Sequence, residues 1–275
     1  MAIPVTNPNK ALWEQGDFTR IAATMRESGE AFVETLGIRP GLAVLDLGCG
    51  DGTSALPAAR RGADVLGVDI AANLVAAGRD RARAAGLDNL RFEQGDACDL
   101  KTLPDADFDL VISLFGAMFA ARPHDAAREM VRVTRPGGRI VMANWIPGDP
   151  TLVAQILKIS AAYTPPPPEG FVSPILWGQE EHVVDRFAAA GIAPADIGFT
   201  RDEWVFRLNG TPADLLDLFR TYYGPTMNAY AAATKAGRDA ALHAELLDLF
   251  ESQNRGGPGT TEIPATFLRV TAAKR

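Results

Sequence analysis

A glycine-rich segment, 44–52, holds the residue types best suited to binding a nucleoside-containing ligand. The apolar run 43–47 predicts a buried strand, and Gly48, Gly50 and Gly52 follow it at once. Because glycine has no side chain, a ligand can approach the backbone of such a strand–turn–helix unit closely. The G-x-G-x-G spacing differs from the G-x-G-x-x-G of nicotinamide and flavin dinucleotide sites. For the glycines alone, a tight turn with a structural role is the alternative.

Asp46 lies two residues before the first of these glycines, at the end of the predicted strand. A carboxylate at this place would repel a pyrophosphate but would favour a ligand with a cationic group. S-Adenosylmethionine (SAM) carries both a sulfonium and an α-amino group. The segment therefore favours SAM over NAD as the ligand.

Asp69 is the second candidate acid, and it follows the strand predicted over 64–68. It lies 17 residues beyond Gly52, near the spacing expected for an acid that binds ribose hydroxyls. A carboxylate can accept two hydrogen bonds from a vicinal diol. Ile70 would then lie against an adenine face. The alternative is that Asp69 caps the helix predicted over 71–85.

Asp96 is the third candidate acid, and it follows the strand predicted over 89–93. Its carboxylate can accept from an adenine amino group, while the backbone N–H of Ala97 donates to the ring. The alternative is a cap for the short segment 99–103. We favour the adenine role because acids already stand at the two preceding strand ends.

The segment that follows the fourth predicted strand, 108–113, is apolar and partly aromatic. It includes Ser113, Leu114, Met118 and Phe119. Aromatic faces attract cations, so we expect the donor's sulfur to lie here. Ordinary packing in the core is the alternative for some of these residues.

The chain before the first strand is predicted to hold a flexible arm, 1–10, and a helix over 12–36. Trp13 and Phe18 precede the most regular part of that helix. They are interpreted either as packing aromatics or as part of a flap that closes over the ligand.

After a fifth strand over 139–143, Trp145 lies at the carboxyl end, the side on which open α/β sheets bind ligands. Strands alternating with helices predict an α/β fold, a three-layer sandwich with a mostly parallel sheet. A stiff proline connector, 165–168, divides the later elements. Those elements are predicted as helices over 151–163, 178–190, 211–223 and 227–250, and strands over 202–208 and 266–272.

Together, these strand-end residues resemble the class I SAM-dependent methyltransferases over about 40–145. The match covers the first motif, the ribose acid, the adenine acid and the Arg-Pro-Gly-Gly turn 135–138. The resemblance implies a Rossmann-like sheet of seven strands in the order 3-2-1-4-5-7-6, the last antiparallel. It implies SAM as cofactor, S-adenosylhomocysteine as product, and the binding residues Trp13, Asp46, Gly48, Cys49, Gly50, Gly52, Asp69, Ile70, Asp96, Ala97, Ser113, Leu114 and Met118.

Segments outside the core are similar to a bacterial subgroup of small-molecule methyltransferases. They surround Trp13, the Leu-Trp-Gly triplet 176–178, the Glu-Glu-His triplet 180–182 and the Tyr-Tyr-Gly-Pro-Thr segment 222–226. The subgroup often has tyrosine where Phe18 stands. The resemblance implies in-line transfer of a methyl group to an O, N, S or C atom of a small molecule.

A phenol, amine or acid acceptor can require a base, and three histidines are the candidates. His124 lies near the ligand edge of the sheet, and His182 begins a later helix that can face the cap. A solvent-facing or capping role is the alternative for His124, and His243 is interpreted as structural. Proximity of the two substrates can also suffice without a base. The predicted acceptor pocket contains Phe18, Phe119, Trp145, Tyr222 and Tyr223, with ordinary packing as their alternative.

The composition of the chain limits which partners and locations are expected. The 275 residues carry a net charge of −7 and no dense basic block, which argues against nucleic acid as a partner. No apolar run is long enough to span a bilayer, and the N-terminus has no apolar signal region. We therefore expect a cytoplasmic protein without a membrane or metal site, and its two cysteines predict no disulfide framework. A homodimer is one assembly that the sequence allows.

We predict one domain over 1–275 with four parts. These are an N-terminal helical flap (1–36), a SAM-binding core (37–145), substrate cap helices with the sixth strand (146–260), and a final strand (261–275). Two other functions stay open: a non-catalytic SAM-binding protein, and an NAD-dependent oxidoreductase. The glycine spacing, Asp46 and the absence of a Tyr-x-x-x-Lys pair after the fifth strand argue against the oxidoreductase.

Overall fold

A computed structural model describes residues 9–167 and 169–275. Most of the predicted arm, 1–10, and Pro168 of the proline connector lie outside the described residues. Among the helices of the described ranges, none combines the length and the apolar character needed to cross a bilayer.

The centre of the fold is one seven-stranded sheet in the order β3-β2-β1-β4-β5-β7-β6. The first five strands run parallel, and β7 runs antiparallel to both of its neighbours. The predicted fold class, strand order and antiparallel last strand are therefore confirmed. The strands are β1 (Ala43–Leu47), β2 (Asp64–Asp69), β3 (Leu90–Gln94), β4 (Phe108–Leu114), β5 (Thr134–Trp145), β6 (Ile197–Leu208) and β7 (Thr261–Ala273).

The register of the parallel strands decides which side chains meet at the edge of the sheet. Leu47 at the end of β1 pairs with Val68 of β2. Asp69 of β2 pairs with Gln94 at the end of β3. The turns after these three strands therefore lie side by side at the carboxyl edge. Both faces of β1 are covered, and its apolar residues from Val44 onwards are buried, as expected for a parallel strand in the middle of a sheet.

Eleven α-helices surround the sheet in the described residues. They are α1 (Asn9–Glu14), α2 (Thr19–Ala23), α3 (Arg26–Glu34), α4 (Ala55–Arg60), α5 (Ala72–Ala84), α6 (Pro123–Val133), α7 (Leu152–Ala161), α8 (Glu180–Ala189), α9 (Pro212–Tyr222), α10 (Gly224–Lys235) and α11 (Asp239–Gln253).

Several elements differ from the sequence-based predictions. The single helix predicted over 12–36 is three short helices, and the Asp17 carboxylate accepts from the Thr19 backbone N–H where α2 begins. The helix predicted over 227–250 is divided at Gly237, whose φ of +67° ends α10. Both late strands are longer than predicted, because β6 pairs with β7 from Ile197 to Leu208. Many residues of that edge strand are polar and exposed, so a prediction based on apolar runs underestimated its length.

Two glycines allow the turn after β1 to touch the turn after β4. A Cβ on Gly116 would lie 2.3 Å from the carbonyl oxygen of Gly48, and a Cβ on Gly48 would lie 2.6 Å from the Cα of Gly116. Gly48 also has a φ of +70°. Both obstacles are backbone atoms, so neither can rotate away as a flexible side chain would.

We therefore expect Gly116→Ala to lower the free energy of unfolding by about 2–3 kcal/mol, because the new methyl group overpacks a backbone contact. Gly198→Ala on β6 is the matched control, since its added Cβ would have nothing closer than 4.0 Å. Urea unfolding of both variants and the wild type measures the difference. Equal stabilities for the two variants would show that the turns can separate at little cost.

Candidate functional site

A cavity opens at the carboxyl edge of the sheet, next to the ends of β1, β2, β3 and β4. Its walls come from the sheet edge, from the N-terminal helices and from β6. The lining residues are Trp13, Phe18, Ala22, Met25, Leu47, Gly48, Cys49, Gly50, Asp51, Thr53, Ser54, Val68, Asp69, Ile70, Leu74, Gly95, Asp96, Ala97, Leu114, Phe115, Gly116, Ala117, Phe119, Ala120 and Trp204.

The turn between β1 and α4 presents its backbone to this cavity. The N–H groups of Gly48 and Cys49 both donate to the Val68 carbonyl, at 2.7 and 3.1 Å, which fixes the turn against β2. Gly50 has a φ of +55°, and a Cβ built on it would have nothing within 4 Å. The space that a side chain would fill at Gly50 is therefore free for a ligand.

Asp69 joins this turn to the start of α5. One of its carboxylate oxygens accepts from the Gly50 N–H at 2.8 Å, and the other accepts from the Ala71 N–H at 2.9 Å. Burial raises the pKa of Asp69, and these backbone hydrogen bonds oppose that effect. Each oxygen keeps acceptor capacity, since a carboxylate has about four acceptor positions. The side chain can therefore hold the turn and receive two ligand hydroxyls at once.

The residues after β3 form the adjacent wall. Gly95 donates its N–H to the Asp69 carbonyl at 2.9 Å, which joins the ends of β2 and β3. The Asp96 carboxylate accepts from the Cys98 N–H at 2.8 Å. Asp96, Ala97 and Ile70 all line the cavity, in the positions that the sequence analysis assigned to an adenine ring.

Asp46 is completely buried and does not line the cavity. The Ser54 hydroxyl, which does line it, donates to one carboxylate oxygen at 2.7 Å. The other oxygen has no hydrogen-bond partner among the described residues. Burial raises the pKa of Asp46 to about 7, against the opposing hydrogen bond from Ser54. Asp46 therefore lacks the direct position on the cavity that was predicted from sequence, and is linked to it only through Ser54.

Asp51 is a cavity residue that the sequence analysis missed, although it lies within the glycine motif. Its carboxylate accepts from the Arg26 guanidinium, with Nη1 at 2.9 Å from Oδ1. Arg81 donates to the Asp51 carbonyl at 2.5 Å and lies 3.5 Å from its carboxylate. The two arginines come from α3 and α5, so only the tertiary fold reveals that they neutralise Asp51.

A second, smaller cavity, the aromatic chamber, adjoins the first. Five lining residues are common to both cavities: Trp13, Phe18, Met25, Phe115 and Phe119. The remaining walls of the chamber come from α2, β5, α7, β6 and α9. They consist of Ile21, Trp145, Val153, Phe206, Phe219 and Tyr223.

Phe115 belongs to the wall between the cavities and has a strained backbone, with a φ of +59°. Its ring lies parallel to that of Trp145, with ring centroids 3.7 Å apart and an interplanar angle of 4°. The left-handed region is costly for a bulky residue, by roughly 1–2 kcal/mol. Strain of this kind is often concentrated at functional sites, which is consistent with the position of Phe115 between two cavities.

The predicted flap residues complete the shared wall. Trp13 of α1 makes edge contacts with Phe18 and Phe119, at centroid distances of 5.5 and 4.9 Å. Trp13 also lies 6.1 Å from the ring of Tyr223. The N-terminal helices therefore connect the first cavity with the chamber through aromatic contacts.

Several predicted site residues lie outside both cavities, which corrects their expected positions. Gly52 faces the side chains of Leu56 and Phe92 in the core. Ser113 donates to the Leu47 carbonyl at 2.6 Å and accepts from the Ala117 N–H, so it joins two strand ends. The remaining two are Met118 and Tyr222. Met118 is buried, and Tyr222 is adjacent in sequence to the chamber residue Tyr223, but neither of them lines either cavity.

None of the histidines lines either cavity. His124 is half exposed and lies 3.5 Å from the Asp185 carboxylate on the outer surface. His182 is partly buried on α8 and is absent from both sets of lining residues. His243 meets the Tyr230 hydroxyl at 2.9 Å, in agreement with its structural interpretation. The geometry therefore gives His124 and His182 no position from which to act as a base on a molecule in either cavity.

The part of the chain that forms this site is similar in sequence to known proteins. Residues 45–142, which include the turn after β1 and the strand-end acids, match the family model described as a methyltransferase domain. An uncharacterised protein of Mycobacterium tuberculosis is 34% identical over 245 residues, which cover 88% of this chain and 86% of the relative. The nocamycin O-methyltransferase of Saccharothrix syringae is 28% identical over 276 residues, covering 91% and 95%.

The fold comparison agrees with the sequence matches. The crystal structure of a putative methyltransferase from Bacillus halodurans superimposes with a TM-score of 0.59 at 15% identity, covering 90% of this chain and 99% of the other. Its likeness concerns the fold alone. With the sheet order, the family match and a relative aligned over most of its length, the chain belongs to the class I SAM-dependent methyltransferase family.

Proposed function

We propose that this protein binds SAM in the first cavity and transfers its methyl group to a small-molecule acceptor held in the aromatic chamber. The observation that carries the proposal is the Asp69 carboxylate, fixed between the N–H groups of Gly50 and Ala71 beside an open glycine. The nocamycin relative is named an O-methyltransferase, which supports oxygen as the acceptor atom.

The residues present fit SAM. Asp69 would accept from the ribose hydroxyls, and Ile70, Asp96 and Ala97 would surround the adenine ring. The aromatic wall shared with the chamber would face a cationic sulfur, which aromatic faces attract. The buried charge of Asp46 favours a cation in the same region.

SAM supplies a methyl group that is already activated by a positively charged sulfur. The contribution of the chain is to align two molecules and to exclude water. Alignment of well-oriented reactants can contribute roughly 7–11 kcal/mol to lowering a barrier. The shared wall of Trp13, Phe18 and Phe119 places the two cavities next to each other, as such an alignment requires.

The non-catalytic alternative predicts a filled space beside the donor. Beside the first cavity there is instead a smaller open space, the aromatic chamber, which supports an enzyme over a sensor. A cytoplasmic location, a homodimer and the absence of a nucleic-acid partner stay predictions from the sequence.

Asp69→Ala tests the donor site. We expect it to weaken binding of S-adenosylhomocysteine by about 10- to 100-fold, equivalent to ~1.5–3 kcal/mol, because charge-assisted hydrogen bonds to the ribose are lost. Isothermal titration measures the affinity, and circular dichroism confirms folding. Asp64→Ala is the matched control, since Asp64 is an exposed acid at the opposite end of β2. A folded Asp69→Ala protein with wild-type affinity would remove the ribose role.

Asp46→Asn tests the influence of the buried charge. Since the pKa of Asp46 is about 7, this acid is mostly neutral at pH 6 and mostly ionised at pH 8. We expect the preference for SAM over S-adenosylhomocysteine to rise about three- to tenfold between these pH values, because only SAM has a cationic sulfur. Calorimetric titration with both ligands measures the ratio. The Asn variant should show a constant ratio, and an equal pH dependence in both proteins would exclude Asp46 as the cause.

The same variant has an expected effect on stability. The folded-state pKa of Asp46 is raised from 3.8 to about 7, so its burial costs little below pH 4, increasingly more between pH 4 and pH 7, and a constant amount above pH 7. We expect Asp46→Asn without ligand to be more stable than the wild type at pH 8, by roughly 2–4 kcal/mol, and to lose this advantage near pH 4. Thermal unfolding across this pH range measures it. A stability difference that does not vary with pH would contradict the raised pKa.

A further inference from the structure

We propose that the acceptor is an apolar molecule with one acidic hydroxyl, a phenol or an enol, and that Tyr223 binds the oxygen of that hydroxyl. This inference rests on the proposed function, because it assumes that SAM occupies the first cavity. It is carried by the residues of the aromatic chamber, by the surroundings of the Tyr223 hydroxyl, and by the positions of the histidines.

The lining of the chamber selects an apolar acceptor. Eight of its eleven lining residues are aromatic, and the others are Ile21, Met25 and Val153. No carboxylate, ammonium, guanidinium or imidazole group belongs to this set. A strongly hydrated charged group, such as a carboxylate or a primary ammonium, would lose its hydration in such surroundings, at a cost of several kcal/mol. The body of the acceptor is therefore uncharged and apolar.

Tyr223 is the lining residue of the chamber that carries a hydroxyl group. It stands between α9 and α10, is 6% exposed, and packs against Phe219 at a centroid distance of 5.3 Å. Among the described residues, none forms a hydrogen bond with its hydroxyl. Burial raises the pKa of Tyr223 well above its usual value, so the group stays protonated and can donate. An oxygen of the acceptor would give this hydroxyl a hydrogen-bond partner.

The other polar side-chain atoms of the chamber lead to the same class of acceptor. Trp13 and Trp145 also line the chamber, and an indole nitrogen can only donate. A chamber that offers donors suits a ligand with an oxygen acceptor, and above all one with an anionic oxygen. A phenolate or enolate meets this condition, whereas an ammonium group does not.

The proton of the acceptor must leave without a base from the chamber. His124 and His182 lie outside both cavities, and Tyr223 is already protonated. An acidic hydroxyl can lose its proton to water before the transfer, which an aliphatic alcohol does too rarely. The anionic oxygen then forms a bond to the methyl carbon as the carbon–sulfur bond breaks, with its electron pair going to sulfur. Tyr223 holds the oxygen and keeps its own proton throughout.

Binding of three probes to the wild-type complex with S-adenosylhomocysteine tests the ligand class. The probes are 2-naphthol, naphthalene and 2-naphthylmethylammonium, which share one ring system. We expect 2-naphthol to bind at least tenfold more tightly than naphthalene, and the cation to bind more weakly than either. Equal affinities for 2-naphthol and naphthalene, or tighter binding of the cation, would overturn the proposal.

Tyr223→Phe tests the named residue, and Tyr222→Phe is the matched control because Tyr222 lines neither cavity. We expect Tyr223→Phe to weaken 2-naphthol binding about tenfold and to raise the apparent pKa of bound 2-naphthol, measured by naphtholate absorbance. The affinity for S-adenosylhomocysteine should be unchanged in both variants. A Tyr223→Phe protein with the wild-type naphthol affinity and pKa would overturn the assignment.

The two proposals fail in different ways. A folded wild-type protein that binds neither SAM nor S-adenosylhomocysteine would contradict the proposed function itself. A wild-type protein that binds both, but does not discriminate among the naphthalene probes, would contradict only the assignment of the acceptor class.

Discussion

The site depends on one carboxylate that links two neighbouring strand ends. Asp69 accepts from the turn after β1 and from the first residues after β2, and the parallel register brings those backbone groups within its reach. The burial of Asp69 is unfavourable, and its hydrogen bonds to the backbone offset part of that cost. The open shape of the glycine turn and the position of the acid therefore depend on each other.

Charge around this turn is unevenly compensated. Asp51 pairs with Arg26 and Arg81, whereas the hydrogen-bond partners of Asp46 and Asp69 are a hydroxyl and backbone N–H groups. Repulsion among these carboxylates contributes to the raised pKa values of Asp46 and Asp69. The region therefore has an excess of negative charge that a cationic ligand would relieve. This physical property distinguishes the site from one that holds a pyrophosphate.

Much of the lining of the first cavity could be predicted from sequence because its signals are local. Gly50, Asp69 and Asp96 follow strands whose apolar runs are easy to recognise, and parallel strands bring their ends together. The contacts of Arg26 with Asp51, and of Phe206 and Phe219 with the chamber, join residues that are far apart in sequence. Tyr222 and Tyr223 show the limit most directly: they are adjacent and alike, and only the geometry of the α9–α10 junction decides which one lines the chamber.

The five residues common to both cavities also limit how this enzyme can diverge. A substitution at Trp13, Phe18, Met25, Phe115 or Phe119 changes both cavities together, which we propose hold the donor and the acceptor. The far side of the chamber, formed by Val153, Phe206, Phe219 and Tyr223, borders only the second space. Descendants of this chain can therefore acquire new acceptors most readily through α7, β6 and α9, while the ancestral donor chemistry is retained.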